Sequence, residues 1–373
     1  MSTDSCDVLI AGGGPAGSTC AWQLAQAGCD VMVMDKSDFP RDKVCAGWVT
    51  PAVLESLRFD AGDYGEARVL QPIRGFRTGV IDESAVETGY GRAVSFAIRR
   101  CEFDDYLLRR SGARLRLGEP LKSLVRDGNA WLVNGRIRTP LVVGAGGHFC
   151  PVSRSLRNES AHSDPIVAAQ EIEFRLPPSE RGHIREDVAQ LYFCADLKGY
   201  GWCVAKGEYL NIGLGREDSR GLAGHVERFR DWLQRTGAIP RNLPGKFKGH
   251  AYLLYPESHR APFDAGVLLI GDALGLAYPR SGEGIRPAVE SALMAAAVIV
   301  KAAGDYSPAG LASYADRLTQ RFGSRSAQRE SAWLPPGLRQ ALAARLLATS
   351  WFARNVVIDR WFLHSEQPAL VAA

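Results

Sequence analysis

The chain has 373 residues, enough for one large domain or two interlocked ones. With 46% hydrophobic and 23% charged residues it reads as an ordinary globular chain, which excludes disordered, collagen-like and multi-span membrane classes. The 45 Lys and Arg against 41 Asp and Glu leave a net charge of +4, with no basic stripe and no recognition motif, so nucleic acid is excluded as a partner.

The first residues carry no basic region, so no signal peptide is expected, and Val8-Leu9-Ile10 then reads as a strand. Ala11 to Gly17 reads as a Gly-rich turn, Ser18 to Ala27 as a helix with apolar Ala21, Leu24 and Ala25, and Val31 to Met34 as a second strand. Together they make one βαβ unit. Residues 52 to 96 read as mixed and loop-like, Glu102 to Arg110 as a helix, and Trp131 to Val133 and Leu141 to Val143 as short strands. From Ile166 to Tyr255 alternating, aromatic-rich segments (Ile172 to Leu176, Gln190 to Cys194, Trp202 to Ala205, Tyr209 to Leu214, Gly249 to Tyr255) predict an inserted antiparallel sheet, interrupted by a helix over Val226 to Arg235. Val267 to Ile270 returns to the first pattern and leads through a Gly-rich turn into a long helix from about Arg286 to Ala303.

Beyond Ala332 a Pro-Pro break precedes a tail in which Leu338, Leu342, Leu346, Phe352, Val356 and Phe362 are interspersed with Arg339, Arg345, Arg354 and Arg360. Such a stripe either covers the protein's own cavity with its arginines solvated or snorkelling, or lies in a membrane interface as a peripheral contact. Eight cysteines without CxxC or zinc-type spacing read as reduced thiols, which predicts a cytoplasmic protein, at most surface-bound on a membrane. The seven histidines show no metal spacing, so no metal is expected.

The strongest local signal is Gly12-Gly13-Gly14-Pro15-Ala16-Gly17, where Gly12, Gly14 and Gly17 fill G-x-G-x-x-G between a strand and a helix. Gly12 permits the tight turn, Gly14 lets the backbone approach a pyrophosphate on the helix N-terminus at Pro15 and Ala16, and Gly17 lets helix and strand pack closely. Asp35, at the end of the second strand, is the acid expected to hold a ribose hydroxyl. The fingerprint specifies a dinucleotide without choosing between NAD and FAD.

Further motifs make that choice. Asp35-Lys36, the run Phe39-Pro40-Arg41-Asp42-Lys43-Val44-Cys45-Ala46-Gly47, Arg100 with Phe103-Asp104, Tyr200-Gly201-Trp202, and Gly271-Asp272-Ala273 through Ser281-Gly282-Glu283-Gly284-Ile285 resemble the geranylgeranyl reductase family of flavoproteins. That family lies within the larger group of FAD enzymes that includes aromatic hydroxylases and flavin-dependent halogenases. The resemblance covers roughly residues 7 to 330 and implies an α/β fold: a Rossmann-type FAD-binding domain (1–75, 97–150, 262–330), an inserted antiparallel-sheet substrate domain (76–96, 151–261) and a C-terminal helical tail (331–373). It implies that Asp35 holds the adenosine ribose, that Arg100 lies near the phosphates or ribityl chain, and that Asp272 contacts the ribityl hydroxyls. Lys36, Lys43, Ala46, Gly271, Gly282, Gly284 and Ile285 are implied as further cofactor contacts.

Cys45 is implied close to the flavin ring, either as a working thiol or as packing. Tyr200 and Trp202 share a face if their segment is a strand, and the resemblance places them in the substrate cavity. Two departures stand out. Val204-Ala205 replaces the family's Phe-Pro, which reshapes the cavity, and Gly146 stands where the wider group has an Asp that helps bind FAD. The implied activity is that of a FAD-dependent oxidoreductase acting on an apolar unsaturated chain. The alternatives are a monooxygenase hydroxylating an aromatic substrate, free or carried on a peptide or protein, and a non-catalytic FAD-binding partner. With a single dinucleotide fingerprint, NAD(P)H or another electron donor would visit only transiently.

Overall fold

The computed structural model describes residues 4–156, 164–181, 184–325 and 335–371. Strand β1 (Val8–Ala11), helix α1 (Pro15–Gln26) and strand β2 (Val31–Met34) form the expected parallel unit, with Val8 opposite Val31. The helix starts at Pro15 and not at Ser18, because proline's fixed φ suits the first helical position and its missing N–H is one that a helix start leaves unbonded anyway. The turn is therefore only Gly12 to Gly14.

The chain then lays down β3 (Gly75–Val80), β4 (Ala85–Gly89), α2 (Arg100–Arg109), β5 (Arg114–Arg116) and β6 (Leu141–Gly144). Next come β7 (Val167–Arg175), β8 (Val188–Phe193), β9 (Gly199–Lys206), β10 (Tyr209–Arg216), α3 (Leu222–Arg235) and β11 (Lys248–Tyr252). The return segments are β12 (Phe263–Asp264), β13 (Val267–Leu269), α4 (Ile285–Ala302) and, in the tail, α5 (Pro336–Leu347).

Six strands stand in the order β12-β13-β6-β1-β2-β5, parallel throughout except for β12. Their centre is uniformly apolar (Val8 to Ala11, Leu141 to Gly144) because helices cover both faces. Seven strands form the second sheet, β11-β7-β10-β9-β8-β3-β4, antiparallel apart from the β3–β8 pair. One face packs Ile172, Phe174, Cys203 and Ile212 on Val226, Phe229 and Leu233 of α3. The other packs Phe76, Leu191, Trp202 and Val204 on Leu347, Val357, Ile358 and Phe362 of the tail.

The loop-like reading of residues 52 to 96 is corrected. Helices Pro51–Ser56 and Ala61–Ala67 and strands Leu70–Ile73, β3, β4 and Ser95–Ile98 occupy it. These elements are too short to show a period, and β3 takes its partner, Val188 to Phe193, from far along the sequence. The tail likewise departs from one amphipathic helix: α5 is followed by a π-helical stretch, Ala353–Phe362, whose inner residues are core. Residues 326–334, which include Ala332, lie outside the described residues. Among the described residues no helix is long and apolar enough to cross a membrane.

A buried arginine fastens the end of the tail. Arg286 on α4 donates to the carbonyls of Leu363 (3.5 Å), His364 (3.4 Å), Gln367 (2.6 Å) and Pro368 (3.2 Å) while its Nε holds Glu290 at 2.8 Å. His364 lies on the Tyr278 ring, 3.8 Å between centroids, and burial, with Arg286 and Arg321 nearby, pushes its imidazole from 6.5 down to about 4. Between those values the unfolded chain takes a proton that the folded one refuses. Stability is therefore expected to fall as pH drops through this window, by up to about 3 kcal/mol. Thermal midpoints of wild type and His364→Gln between about pH 7 and about pH 5 check this: the variant should decline less steeply, and parallel curves would remove His364 from the account.

Candidate active site

A cavity of about 580 Å³ runs from the Gly-rich turn of the first sheet to the aromatic face of the second. At its nucleotide end Gly12 has φ +119°, and a Cβ there would lie 2.4 Å from the Ala145 carbonyl. A Cβ on Gly17 would lie 1.8 Å from the Gly12 carbonyl, so Gly17 serves helix–strand packing and does not line the cavity. Gly14 differs: its φ is −73° and an added Cβ would meet only Arg41 Nη2, at 3.4 Å. It borders open space at the positive end of α1.

Arg41 supports the same corner. Its Nη1 is buried without a hydrogen-bond partner and lies 3.3 Å from Asp104 Oδ2, an ion pair shared with Arg100, which grips Asp104 at 2.8 and 2.9 Å. Asp35 accepts from the Gly13 N–H at 2.8 Å and from the Ser37 N–H at 2.9 Å, and lines the cavity. A cradle of glycine backbone and helix start, an arginine with a spare donor and a carboxylate on the second strand fit the phosphates and ribose of FAD.

Midway, Lys43, Asp272 and His250 converge. Lys43 Nζ lies 3.0 Å from His250 Nδ1. Burial lowers Lys43, with Asp272 opposing, and burial and Lys43 hold His250 well below its ordinary value, so the imidazole is neutral and accepts. Burial raises Asp272, opposed by Lys43, Arg100 and Arg260. Gly284 lets the α4 turn close on this carboxylate, since a Cβ there would stand 3.1 Å from Asp272 Oδ1.

The far wall is aromatic. Trp48, Ala169, Tyr200 and Trp202 line it. The Tyr200 hydroxyl donates to the Ser281 carbonyl, and Trp202 Nε1 donates to Asn211 Oδ1 at 2.7 Å. Trp202 lies over Gly213, its register partner on β10, where a Cβ would fall 2.2 Å from the indole. Phe362 from the tail meets Tyr200 at 5.3 Å and Trp48 at 5.6 Å between ring centroids.

Between these ends the loop Cys45-Ala46-Gly47 rests on a buried polar network. Asn211 Nδ2 donates to the Cys45 carbonyl at 3.3 Å and to Glu171 Oε2 at 3.2 Å, and Lys206 Nζ donates to Glu173 Oε2 at 2.7 Å. Lys206 is fully buried. Gly47, at φ +63°, has no room for a side chain, since its Cβ would come within 2.4 Å of Lys206 Nζ. Burial raises Glu171 against the pull of Lys206, whereas for Glu173 the pull of Lys206 and Arg99 overcomes burial and lowers it. The same Asn211 thus fixes Trp202 and the Cys45 loop.

Of the residues singled out from the sequence, Gly12, Gly14, Pro15, Ala16, Asp35, Lys36, Lys43, Cys45, Ala46, Arg100, Tyr200, Trp202, Asp272, Gly282, Gly284 and Ile285 all border this cavity. Gly17 and Gly271 do not; Gly271, at φ +57°, turns the chain and donates its N–H to Ser291 Oγ at 3.0 Å. Arg41 and Glu283 stand inside the motif runs but are not among the contacts that the resemblance implies, and neither are Trp48, Glu171, Glu173, Lys206, Asn211 and His250, all of which lie at or beside the cavity. Arg41 had a legible signal, a cation beside the motif lysine. The strand residues had none, since Glu171 and Glu173 alternate with Ile172 and Phe174 as a solvent face would.

Residues 7–98 match the FAD dependent oxidoreductase family. The chain is 26% identical over 347 residues to a digeranylgeranylglycerophospholipid reductase of Methanosphaera stadtmanae, covering 87% of this chain and 85% of that one. It is 28% identical over 302 residues to a geranylgeranyl diphosphate reductase of Rhodobacter capsulatus, covering 75% and 71%. The fold matches that of a geranylgeranyl bacteriochlorophyll reductase-like protein of Thermoplasma acidophilum with a TM-score of 0.74 and 21% identity over 99% of this chain and 94% of the other. The resemblance read from the motifs therefore holds along most of the chain.

Proposed function

We propose that this FAD-dependent oxidoreductase saturates carbon–carbon double bonds in an apolar, isoprenoid-like chain. The observation that carries this reading is the far wall of the cavity: Trp48, Ala169, Tyr200 and Trp202 face it, and the Tyr200 hydroxyl and Trp202 N–H already have partners. Such a wall offers dispersion contacts and asks for no polar group on the substrate. The curated relatives named for geranylgeranyl substrates support it.

FAD, when bound, supplies the hydride. In this reading Arg41, Asp35 and Asp272, which line the cavity, hold it, and the Asn211-anchored loop brings Cys45 and Ala46 to the edge of the same cavity. Glu283, also on the cavity, is pushed up to about 8 by burial, with Arg286 opposing, so its carboxyl keeps a proton at neutral pH. It is the chain's own source for the proton that must reach the carbon beside the one taking hydride. NAD(P)H or another donor restores the reducing equivalents.

Under anaerobic reduction with a geranylgeranyl chain, the product should gain two hydrogens per double bond, and in heavy water at least the one added as a proton should be deuterium. Trp202→Phe should lower kcat/KM by about 10-fold, as expected for roughly one lost hydrogen bond and its orphaned Asn211 partner, while flavin content stays unchanged. A product that gains oxygen in air, with no anaerobic saturation, would overturn the reading in favour of a monooxygenase.

A further inference from the structure

The outward face of the tail is unlike the rest of the surface. Among the described residues nine large apolar side chains stand exposed, and four belong to this short segment: Leu338 (57%), Leu342 (47%), Leu346 (37%) and Trp351 (69%). Leu338, Leu342 and Leu346 recur every fourth residue and so form one stripe along α5. On the other side of the same helix Leu347 is buried and Ala344 partly so, both against the core that includes Phe76 of β3. A helix that is apolar on opposite faces is ordinarily covered on both. Here the described residues cover only the inner one.

Charge indicates what covers the outer one. From Pro335 to Ile358 the sequence contains Arg339, Arg345 and Arg354 and neither Asp nor Glu. Arg339 and Arg345 are exposed beside the stripe, and Arg354 lies over the Tyr90 ring at 4.6 Å. An apolar stripe flanked only by cations complements a surface with an apolar interior and anionic groups at its boundary. A second copy of the chain packed through this stripe about a two-fold axis would bring the same arginines together, which disfavours a dimer.

We propose that the outer face of α5, with Trp351, docks the protein on an anionic lipid surface. The helix lies in the interface, its leucines in the acyl boundary and Arg339 and Arg345 among the head groups. The inner side of this tail is also the cavity's neighbour, since Phe362 touches both Tyr200 and Trp48. Docking thus holds the aromatic wall one layer from the bilayer, where an apolar chain resides; this last step rests on the proposed function, whereas docking itself does not.

The test uses the FAD-loaded full chain and sedimentation with vesicles of phosphatidylcholine, with and without an equal part of phosphatidylglycerol. Binding is expected only to the anionic vesicles, weakening as salt shortens the screening length below about 8 Å. The triple substitution Leu342→Ser, Leu346→Ser, Trp351→Ser changes exposed side chains only, so thermal midpoint and flavin content should hold while vesicle affinity falls about 10-fold or more. Arg339→Gln with Arg345→Gln should flatten the salt dependence. Absence of binding at low salt, undiminished binding by the triple variant, or a wild-type dimer that the triple variant dissociates would each overturn the proposal. The two readings separate cleanly: vesicle binding without saturation of any isoprenoid leaves docking intact and removes the reductase, whereas saturation of a short soluble chain without vesicle binding does the reverse.

Discussion

Gly14→Val is expected to yield a folded protein that purifies without flavin. Gly14 has φ −73°, which any residue adopts, and its added Cβ would meet nothing closer than Arg41 Nη2 at 3.4 Å. The valine side chain therefore costs the chain itself little and fills the space between the turn, the first N–H groups of α1 and the Arg41 guanidinium. That space is where a pyrophosphate must lie to reach those donors. Losing about two charge-assisted hydrogen bonds at roughly 1.5–3 kcal/mol each lowers FAD affinity by about 100-fold or more. The contrast is Gly17→Val, whose Cβ would collide with the Gly12 carbonyl at 1.8 Å and which should impair folding. Flavin absorbance of the purified variants, read beside circular dichroism and the thermal midpoint, checks both; a Gly14→Val protein with full flavin occupancy would remove the cradle from the cofactor site.

Lys206→Met should be strongly destabilising although it introduces no clash. Methionine matches the length of the buried stem, so little packing is lost, but Glu171 and Glu173, at 3.2 and 3.4 Å from Asn211 Nδ2, lose their buried cation, and of the two only Glu173 keeps another, Arg99 Nε at 3.1 Å. Breaking a buried pair by removing one partner costs about 3–5 kcal/mol at neutral pH. The pH dependence carries the sign. Burial already raises Glu171 in the wild type against the pull of Lys206, and with Lys206 gone it rises further, so the folded variant holds the proton and regains stability as pH falls toward about 5. In the wild type Glu173 behaves oppositely: its carboxyl is lowered, so its contribution is present above the unfolded value and lost as pH falls through the folded one. Denaturant midpoints at two pH values should show the gap between the proteins narrowing in acid; a neutral or pH-independent variant would show that Lys206 does not hold the two carboxylates in check. Because the network also carries the Cys45 loop and Trp202, turnover should fall with stability in this variant.

The nucleotide end of the site was written locally in the sequence. Gly12 to Gly17 and Asp35 belong to one βαβ unit, and Asp272 to Ile285 to one strand–turn–helix, so the contacts that hold a phosphate or a polyol lie within short stretches whose glycines and small residues have few other uses. That is why the fold class, the cofactor and most of the residues that line the nucleotide end of the cavity were legible there. The substrate end was decided by tertiary structure. Glu171 and Glu173 on β7 occupy the polar positions of an alternating strand, a pattern identical to that of a sheet with one face in water, and Lys206 on β9 and Asn211 on β10 are single polar residues in apolar runs. Glu171, Lys206 and Asn211 are buried and Glu173 is half-buried where the Cys45 loop, from a remote part of the chain, lies over the network, and only that layer turns a solvent face into an ion network. The tail makes the same point in reverse: its leucines and arginines are plain in the sequence, but which of them meet Tyr200 and which face outward depends on where α4 and Arg286 fasten the chain end, because helical periodicity fixes faces relative to one another and not relative to a partner.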